Sequence, residues 1–317
     1  MDKKVMITSR SFGSIDDTPI RILNDAGYAI TMMGANFDQS VFDAAITGYD
    51  ALIIGAHPLS TEVLSQCGKL KIICKHGAGL DNIPLELAKE MGIVVCNVPG
   101  TNANAVADLT FGLMLCCARH IVTTNNRVRQ GAWKTITGTD VFGKTLGLLG
   151  FGAIAKNVAR RARGFDMRVL AYDPYVSELP EEFSHVTLCK NIIDVYAQCD
   201  FLSAHLPLND DTRNMVDKKA FATMKRGAYL INAARGGIVN EQDLHDALVS
   251  GHIAGAALDV SEKEPIDRNN PLLTLENVII TPHIGMYSKE AIGAVSIICA
   301  QNAAAAITCG TYQFRVI

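Results

Sequence analysis

Twice along this chain, short apolar and β-branched runs alternate with helix-length segments, and that alternation leaves few folds open. The first series has apolar runs at residues 4–8, 28–33, 51–55, 70–74 and 93–96, with helical segments at 19–26, 60–66 and 84–91. The second begins at Lys144, with strands expected at 145–149, 168–172, 200–204, 228–232, 255–258 and 278–280 and helices between them. Continuous apolar runs separated by helices fit parallel strands covered on both faces. Between the series, residues 101–119 are Ala-rich and apolar and read as a long helix, with Asn102 and Asn104 as its polar cap. The polar stretch from there to Trp133 is expected to form an arm, and residues 288–307 a second long Ala-rich helix. The result is an α/β chain of two lobes, the second a complete doubly wound sheet. A length of 317 residues, 49% of them apolar, suffices for a core in each.

Charge and cysteine usage narrow the partners. A net charge of −3 provides no footprint for nucleic acid or an anionic membrane, so a small anionic substrate would be held by a few placed cations. The longest apolar run is read at residues 109–118, too short to span a bilayer, and the opening MDKKVMITSR shows no secretory signal. The nine cysteines are odd in number (Cys67, Cys74, Cys96, Cys116, Cys117, Cys189, Cys199, Cys299 and Cys309), and several sit in apolar runs. Reduced, buried thiols in the cytoplasm are expected, and without a Cys-x-x-Cys pair no metal site is.

The strongest local motif is Gly150-Phe151-Gly152-Ala153-Ile154-Ala155, with an apolar strand before it and a helical run after it. Gly150 permits a tight turn, Gly152 lets the backbone approach a pyrophosphate, and Ala155 keeps the helix close to the strand. The N–H groups of the helix start, at Ala153 and Ile154, then face the phosphates. The next strand ends at Asp173, whose carboxylate can accept from the ribose hydroxyls and would repel a 2′-phosphate. Pro174 follows with no arginine beside it, so the cofactor is read as NAD.

Three ionisable groups then fall at strand ends: Arg235 in Leu-Ile-Asn-Ala-Ala-Arg-Gly-Gly, Glu264 in Leu-Asp-Val-Ser-Glu-Lys-Glu-Pro, and His283 in Ile-Ile-Thr-Pro-His-Ile-Gly. In a doubly wound sheet, ligands bind beyond the carboxyl ends of the strands. Reduction of a 2-oxo acid builds negative charge on the carbonyl oxygen, and a protonated histidine can donate to it and take the proton back in reverse. A glutamate on the other ring nitrogen fixes the tautomer and favours the charged ring, and an arginine can clamp a carboxylate bidentately. Singly, each is as readily a surface ion pair, a loop residue or a turn histidine; their occurrence together in this order is much less ordinary.

These residues bring the chain close to a known family. Over nearly its whole length it resembles the D-isomer-specific 2-hydroxyacid dehydrogenases, through His76-Gly77-Ala78-Gly79-Leu80-Asp81-Asn82-Ile83, Asn97-Val98-Pro99-Gly100-Thr101-Asn102, the Gly150 motif, His205-Leu206-Pro207-Leu208, residues 232–236, 257–265 and 281–285. The resemblance implies a Rossmann NAD-binding domain at 101–287 inserted in a flavodoxin-like substrate domain at 1–100 and 288–317. It implies Arg235, Glu264 and His283 as the catalytic set. Cofactor contacts are implied from Gly150, Gly152, Ala153, Ile154, Asp173, Pro207, Thr212, Ala233, Ala234, Arg235, Asp259, His283 and Gly285. The substrate carboxylate is implied to meet the N–H groups of Ala78 and Gly79, with Asn102 at the same face, and the long helix from Ala103 with the arm to Trp133 is implied to build a homodimer. The chain departs from the family pattern at Ala155, at Asp108 where a glutamate is commoner, and at Met286 where a small residue is usual, which would narrow the nicotinamide region.

Within the family, Thr8-Ser9-Arg10-Ser11-Phe12-Gly13 and Lys75-His76-Gly77 resemble a phosphoglycerate-dehydrogenase-like branch. The better-known enzymes of that branch carry an arginine where this chain reads Gly55-Ala56-His57. Arg10, His57 and Lys75 could together hold a phosphate or another anionic tail. The alternatives are a reductase of glyoxylate, hydroxypyruvate or another 2-oxo acid, and, in a different class, an NAD(H)-sensing dehydrogenase-like binding protein. Against the last stands the lack of basic or low-complexity extensions.

Overall fold

The computed structural model of the chain describes residues 3–34, 37–308 and 310–317, so Cys309 lies outside the described residues. It divides into two compact units, Met1–Asn102 with Met286–Ile317, and Ala103–Gly285.

The first unit holds five strands, β1 (Lys3–Ile7), β2 (Tyr28–Met32), β3 (Ala51–Ile54), β4 (Ile72–Lys75) and β5 (Val94–Cys96). They pair in parallel in the order β2-β1-β3-β4-β5, the flavodoxin-like order. Strand residues divide by parity between two cores. Val5, Ile7, Ala51 and Ile53 face one with Val295, Cys299, Ala300 and Ala303, while Met6, Leu52, Ile54 and Ile73 face the other with Phe42, Leu64 and Ala88. Both faces are covered, so the strands read as unbroken apolar runs rather than alternating ones. Each fully buried Leu or Ile contributes about 1.5–3 kcal/mol. The outer edge of β5 is closed by the chain end, where Arg315 bridges Cys96 in antiparallel fashion.

The second unit continues with β6 (Thr145–Leu149), β7 (Arg168–Tyr172), β8 (Val186–Leu188), β9 (Phe201–Ala204), β10 (Ala228–Asn232), β11 (Ile253–Leu258) and β12 (Val278–Ile280). Their order is β12-β11-β10-β9-β6-β7-β8, all parallel. Counted within the unit this is the Rossmann arrangement, with a seventh strand added beyond the sixth. The chain reverses direction of addition between β6 and β9. The turns after those strands touch there: a Cβ at Gly150 (φ 85°) would stand 2.6 Å from the His205 carbonyl oxygen.

Local differences from the sequence expectations have physical reasons. Helix Gln39–Ala45 was not anticipated; it starts at Asp38, whose side chain accepts from Ser40 N–H, and buries only Phe42. β8, three residues on the sheet edge, is too short to show a period. The expected arm is helical over Ile121–Arg129, with no buried residue; its Ile121, Val122 and Val128 are exposed. Asn104 receives Arg161 through its carbonyl and side-chain oxygens. The longest apolar element is Lys289–Thr308 rather than residues 109–118. Among the described residues it is the one single helix long and apolar enough to cross a membrane, and its Val295, Cys299, Ala300 and Ala303 lie in the first unit's core.

Candidate active site

In the second unit, the turn after β6 is built for close approach. The helix Ala153–Ala162 starts at Gly152 without a side-chain cap, which leaves its first N–H groups to be satisfied from outside the helix. Phe151 N–H donates to Asp173 Oδ2 (2.8 Å) and Tyr175 N–H to Asp173 Oδ1 (2.9 Å), fixing the acid at the end of β7. Neighbouring loops are tied as firmly: Thr212 Oγ1 donates to the Pro207 carbonyl (2.7 Å). An uncapped helix start, a glycine that no larger residue can replace and a fixed carboxylate fit a dinucleotide.

The ends of β10, β11 and β12 carry the ionisable set. His283 sits in a left-handed backbone conformation (φ 53°), unusual for a side-chain-bearing residue. Its N–H donates to the Asp259 and Thr281 carbonyls (2.9 and 3.0 Å). Its Nδ1 lies 2.8 Å from Glu264 Oε2, the two side chains being 45% and 38% exposed. Glu264 Oε1 accepts from Ser261 N–H (3.3 Å). Burial pushes the Glu264 carboxyl up, but the hydrogen bond and charge of His283, the Ser261 N–H and the Arg235 guanidinium together outweigh it and hold the acid below its ordinary value. Arg235 Nη1 donates to the Ala234 carbonyl (2.7 Å).

Two residues that brace this set act through other groups. Asp259 is buried, and its carboxylate accepts from Thr281 Oγ1 (2.6 Å) and from the N–H groups of Ile284 and Gly285 (both 2.8 Å). It therefore fastens the turn that displays His283. Asn232, absent from the residues singled out above, is buried at the end of β10; it donates to the Arg235 carbonyl (2.9 Å) and accepts from Ala234 N–H (3.1 Å). A buried asparagine closing an apolar strand was the available signal.

In the first unit, Ala78 and Gly79 follow β4. Their turn is held by Asn97 Nδ2 on the Ala78 carbonyl (2.8 Å) and by His76, whose ring bridges Ser9 Oγ (3.0 Å) and Ser296 Oγ (2.9 Å). Lys75 Nζ donates to the Gly55 carbonyl and Asn82 Oδ1 (both 2.7 Å), so its ammonium is engaged in bracing the β3 and β4 ends. His57 lies tilted against Phe37 (4.1 Å between centroids), and its Nδ1 is buried with no hydrogen-bond partner among the described residues. Burial first, then the charges of Arg10 and Lys75, push His57 below its ordinary value. Arg10 is exposed, and Asn102 half-buried at the end of this unit. Met286 also belongs here, packed on the first core and 3.9 Å from where a Gly77 Cβ would stand.

Residues 111–285 match the family described as D-isomer specific 2-hydroxyacid dehydrogenase, NAD binding domain. The chain belongs to that family. It is 43% identical over 249 residues to the hydroxypyruvate reductase of Thermotoga maritima, covering 76% of this chain and 79% of that one. To the D-3-phosphoglycerate dehydrogenase of Methanocaldococcus jannaschii it is 37% identical over 302 residues, 94% of this chain but 56% of that longer protein. Its fold superposes on a glyoxylate reductase from Paecilomyes thermophila with a TM-score of 0.86, at 29% identity over 99% of this chain and 98% of that one. The cofactor of this family's matched domain is NAD.

Proposed function

We propose that this chain is an NAD-dependent oxidoreductase that interconverts a D-2-hydroxy acid and its 2-oxo acid. The observation that carries the proposal is the 2.8 Å contact of His283 with Glu264, under the charge of Arg235, at the strand ends of an NAD-binding domain. The dinucleotide would be held by Gly150, Gly152, Ala153, Ile154 and Asp173, with Pro207, Thr212, Ala233, Ala234 and Gly285 along the remaining loops. Bound there, it supplies or accepts the hydride at C2.

The chain's own residues handle the proton and the carboxylate. With Nδ1 committed to Glu264, His283 has Nε2 to give a proton to the carbonyl oxygen in reduction and to remove it from the hydroxyl in oxidation. Arg235 pairs with the substrate carboxylate and polarises the carbonyl.

For the substrate tail, the geometry favours an unphosphorylated acid of the hydroxypyruvate or glyoxylate kind. Lys75 is already bonded to Gly55 and Asn82, and His57 is held toward its neutral form. A phosphorylated three-carbon acid is the second reading, supported by the exposed Arg10 beside His57. We further propose a homodimer. It is supported by Ile121, Val122 and Val128, exposed on one short helix, and by Trp133 and Phe142 after it, at 90% and 64% exposure: apolar side chains that a second copy could cover. The eight described cysteines are free, which fits a cytoplasmic location.

NADH oxidation at 340 nm against hydroxypyruvate, glyoxylate, phosphohydroxypyruvate, pyruvate and 2-oxoglutarate, repeated with NADPH and with His283→Ala, tests the proposal. Turnover of at least one 2-oxo acid, abolished in His283→Ala, is expected. Silence across the panel with tight NADH binding would instead indicate a nucleotide-sensing protein. Strong preference for phosphohydroxypyruvate, lost in Arg10→Ala, would overturn the unphosphorylated assignment alone.

A further inference from the structure

The loop carrying Glu264 is fastened at a distance from the acid itself. Glu241 opens the helix Glu241–Val249, and its Oε1 accepts from the Glu262 N–H (2.7 Å). Glu262 returns the contact: its Oε1 accepts from the Glu241 N–H (3.0 Å). The second oxygen of Glu241 accepts from Asn270 Nδ2 (2.6 Å), further along the same loop. Two backbone donors and two carboxylates are thus satisfied reciprocally, one pair at the positive end of a helix, where an anionic acceptor is favoured.

The same junction meets the Arg235 turn. Gly236 packs so tightly on the Ser261 backbone that a Cβ there would land on the Ser261 carbonyl, with the Glu262 nitrogen 2.8 Å away. Ser261 in turn donates to Glu264 Oε1, and Glu264 Oε2 holds His283. From Glu241 to the imidazole the path is continuous: Glu262 backbone, Ser261 backbone, Glu264 carboxylate, His283 ring.

We propose that Glu241 is a positioning residue that sets Glu264 against His283 and holds the Arg235 turn and the Glu264 loop in register. The proposal rests on the reading of Glu264 and His283 as a working pair. Glu241 touches none of the groups assigned to substrate or cofactor. Among the described residues, the charged groups that act on the Glu264 carboxylate are His283 and Arg235.

The test follows the His283 imidazole directly, by NMR titration of histidine ring signals in the full chain without added nucleotide, the His283 signal assigned by its loss in His283→Gln. In Glu241→Ala the protonation midpoint is expected to move from the wild-type position in the direction in which Glu264→Gln moves it. In Glu241→Gln, which keeps an acceptor for the Glu262 N–H, the midpoint is expected to stay at the wild-type position. An unmoved midpoint in Glu241→Ala overturns the proposal. Equal movement in Glu241→Ala and Glu241→Gln also overturns it, since charge at a distance would then explain the shift. Should Glu241→Ala not fold, Glu241→Asp, one methylene too short for both contacts, is read in its place by the same criterion. Loss of turnover in the wild type would end the dehydrogenase reading while leaving this titration to decide the clasp.

Discussion

Replacing Glu264 with glutamine keeps an oxygen for the His283 N–H and removes only the charge, which makes its effect calculable from the pair's surroundings. Two unit charges about 4 Å apart attract by about 4 kcal/mol at an effective dielectric of about 20 and by about 1 kcal/mol in water. His283 and Glu264 are 45% and 38% exposed, which places the pair nearer the watery limit. An imidazolium formed at the site should therefore lose about 1–2 kcal/mol of stabilisation, equivalent to about tenfold in rate. The prediction is that Glu264→Gln lowers kcat/KM for 2-oxo acid reduction about tenfold at pH 8 and by less at low pH, where protons are abundant. NADH affinity should change little. Stopped-flow reduction across pH 5–9, with NADH binding followed by fluorescence, measures both. A profile that keeps its midpoint while its height falls uniformly would refute the reasoning, because Glu264 would then be orienting the ring without influencing its charge.

Gly150→Ala places a Cβ 2.6 Å from the His205 carbonyl oxygen in a left-handed backbone, so it should cost about 3 kcal/mol and weaken NADH binding at least tenfold, read by thermal unfolding and titration. Asp259→Ala leaves Thr281 Oγ1 and two backbone N–H groups of the His283 turn without their acceptor; a displacement of about 1 Å there should lower kcat about 100-fold, with stability reduced by about 2–4 kcal/mol. Burial pushes His76 and His205, one in each unit, down to about 4. A buried histidine kept neutral stabilises the fold fully above the unfolded value near 6.5 and progressively less as pH falls toward 4, by up to about 3 kcal/mol for each. The urea midpoint should therefore drop between pH 7 and pH 4.5, and His76→Gln, which can still reach Ser9 and Ser296, should flatten that dependence.

What the sequence disclosed is what local spacing can encode. The Gly150 turn, its preceding strand and Asp173 lie within one strand-turn-helix-strand unit, so residue order alone places them together. Arg235, Glu264 and His283 are far apart in sequence, yet each follows an apolar run, and in a parallel sheet all such positions share one end. The bracing contacts obey no spacing. The reciprocal bonds of Glu241 and Glu262 join residues 21 apart, and Asp259 reaches residues 22 to 26 further on. Nothing in either segment marks the pairing. Lys75 shows the same limit: its bonds to Gly55 and Asn82 depend on a loop approach that only the tertiary fold creates. The helices Gln39–Ala45 and Ile121–Arg129 escaped because one buries a single aromatic residue and the other none.

The central claim is that His283 carries the proton between solvent and the C2 oxygen while the hydride moves. Its most direct measurement is the pH dependence of kcat/KM in both directions, with 4-deuterated NADH used to show that hydride transfer limits the rate. Reduction should fall with rising pH and oxidation should rise, both through one midpoint that disappears in His283→Ala. A full deuterium effect combined with rates independent of pH would show that another group, or none, moves that proton.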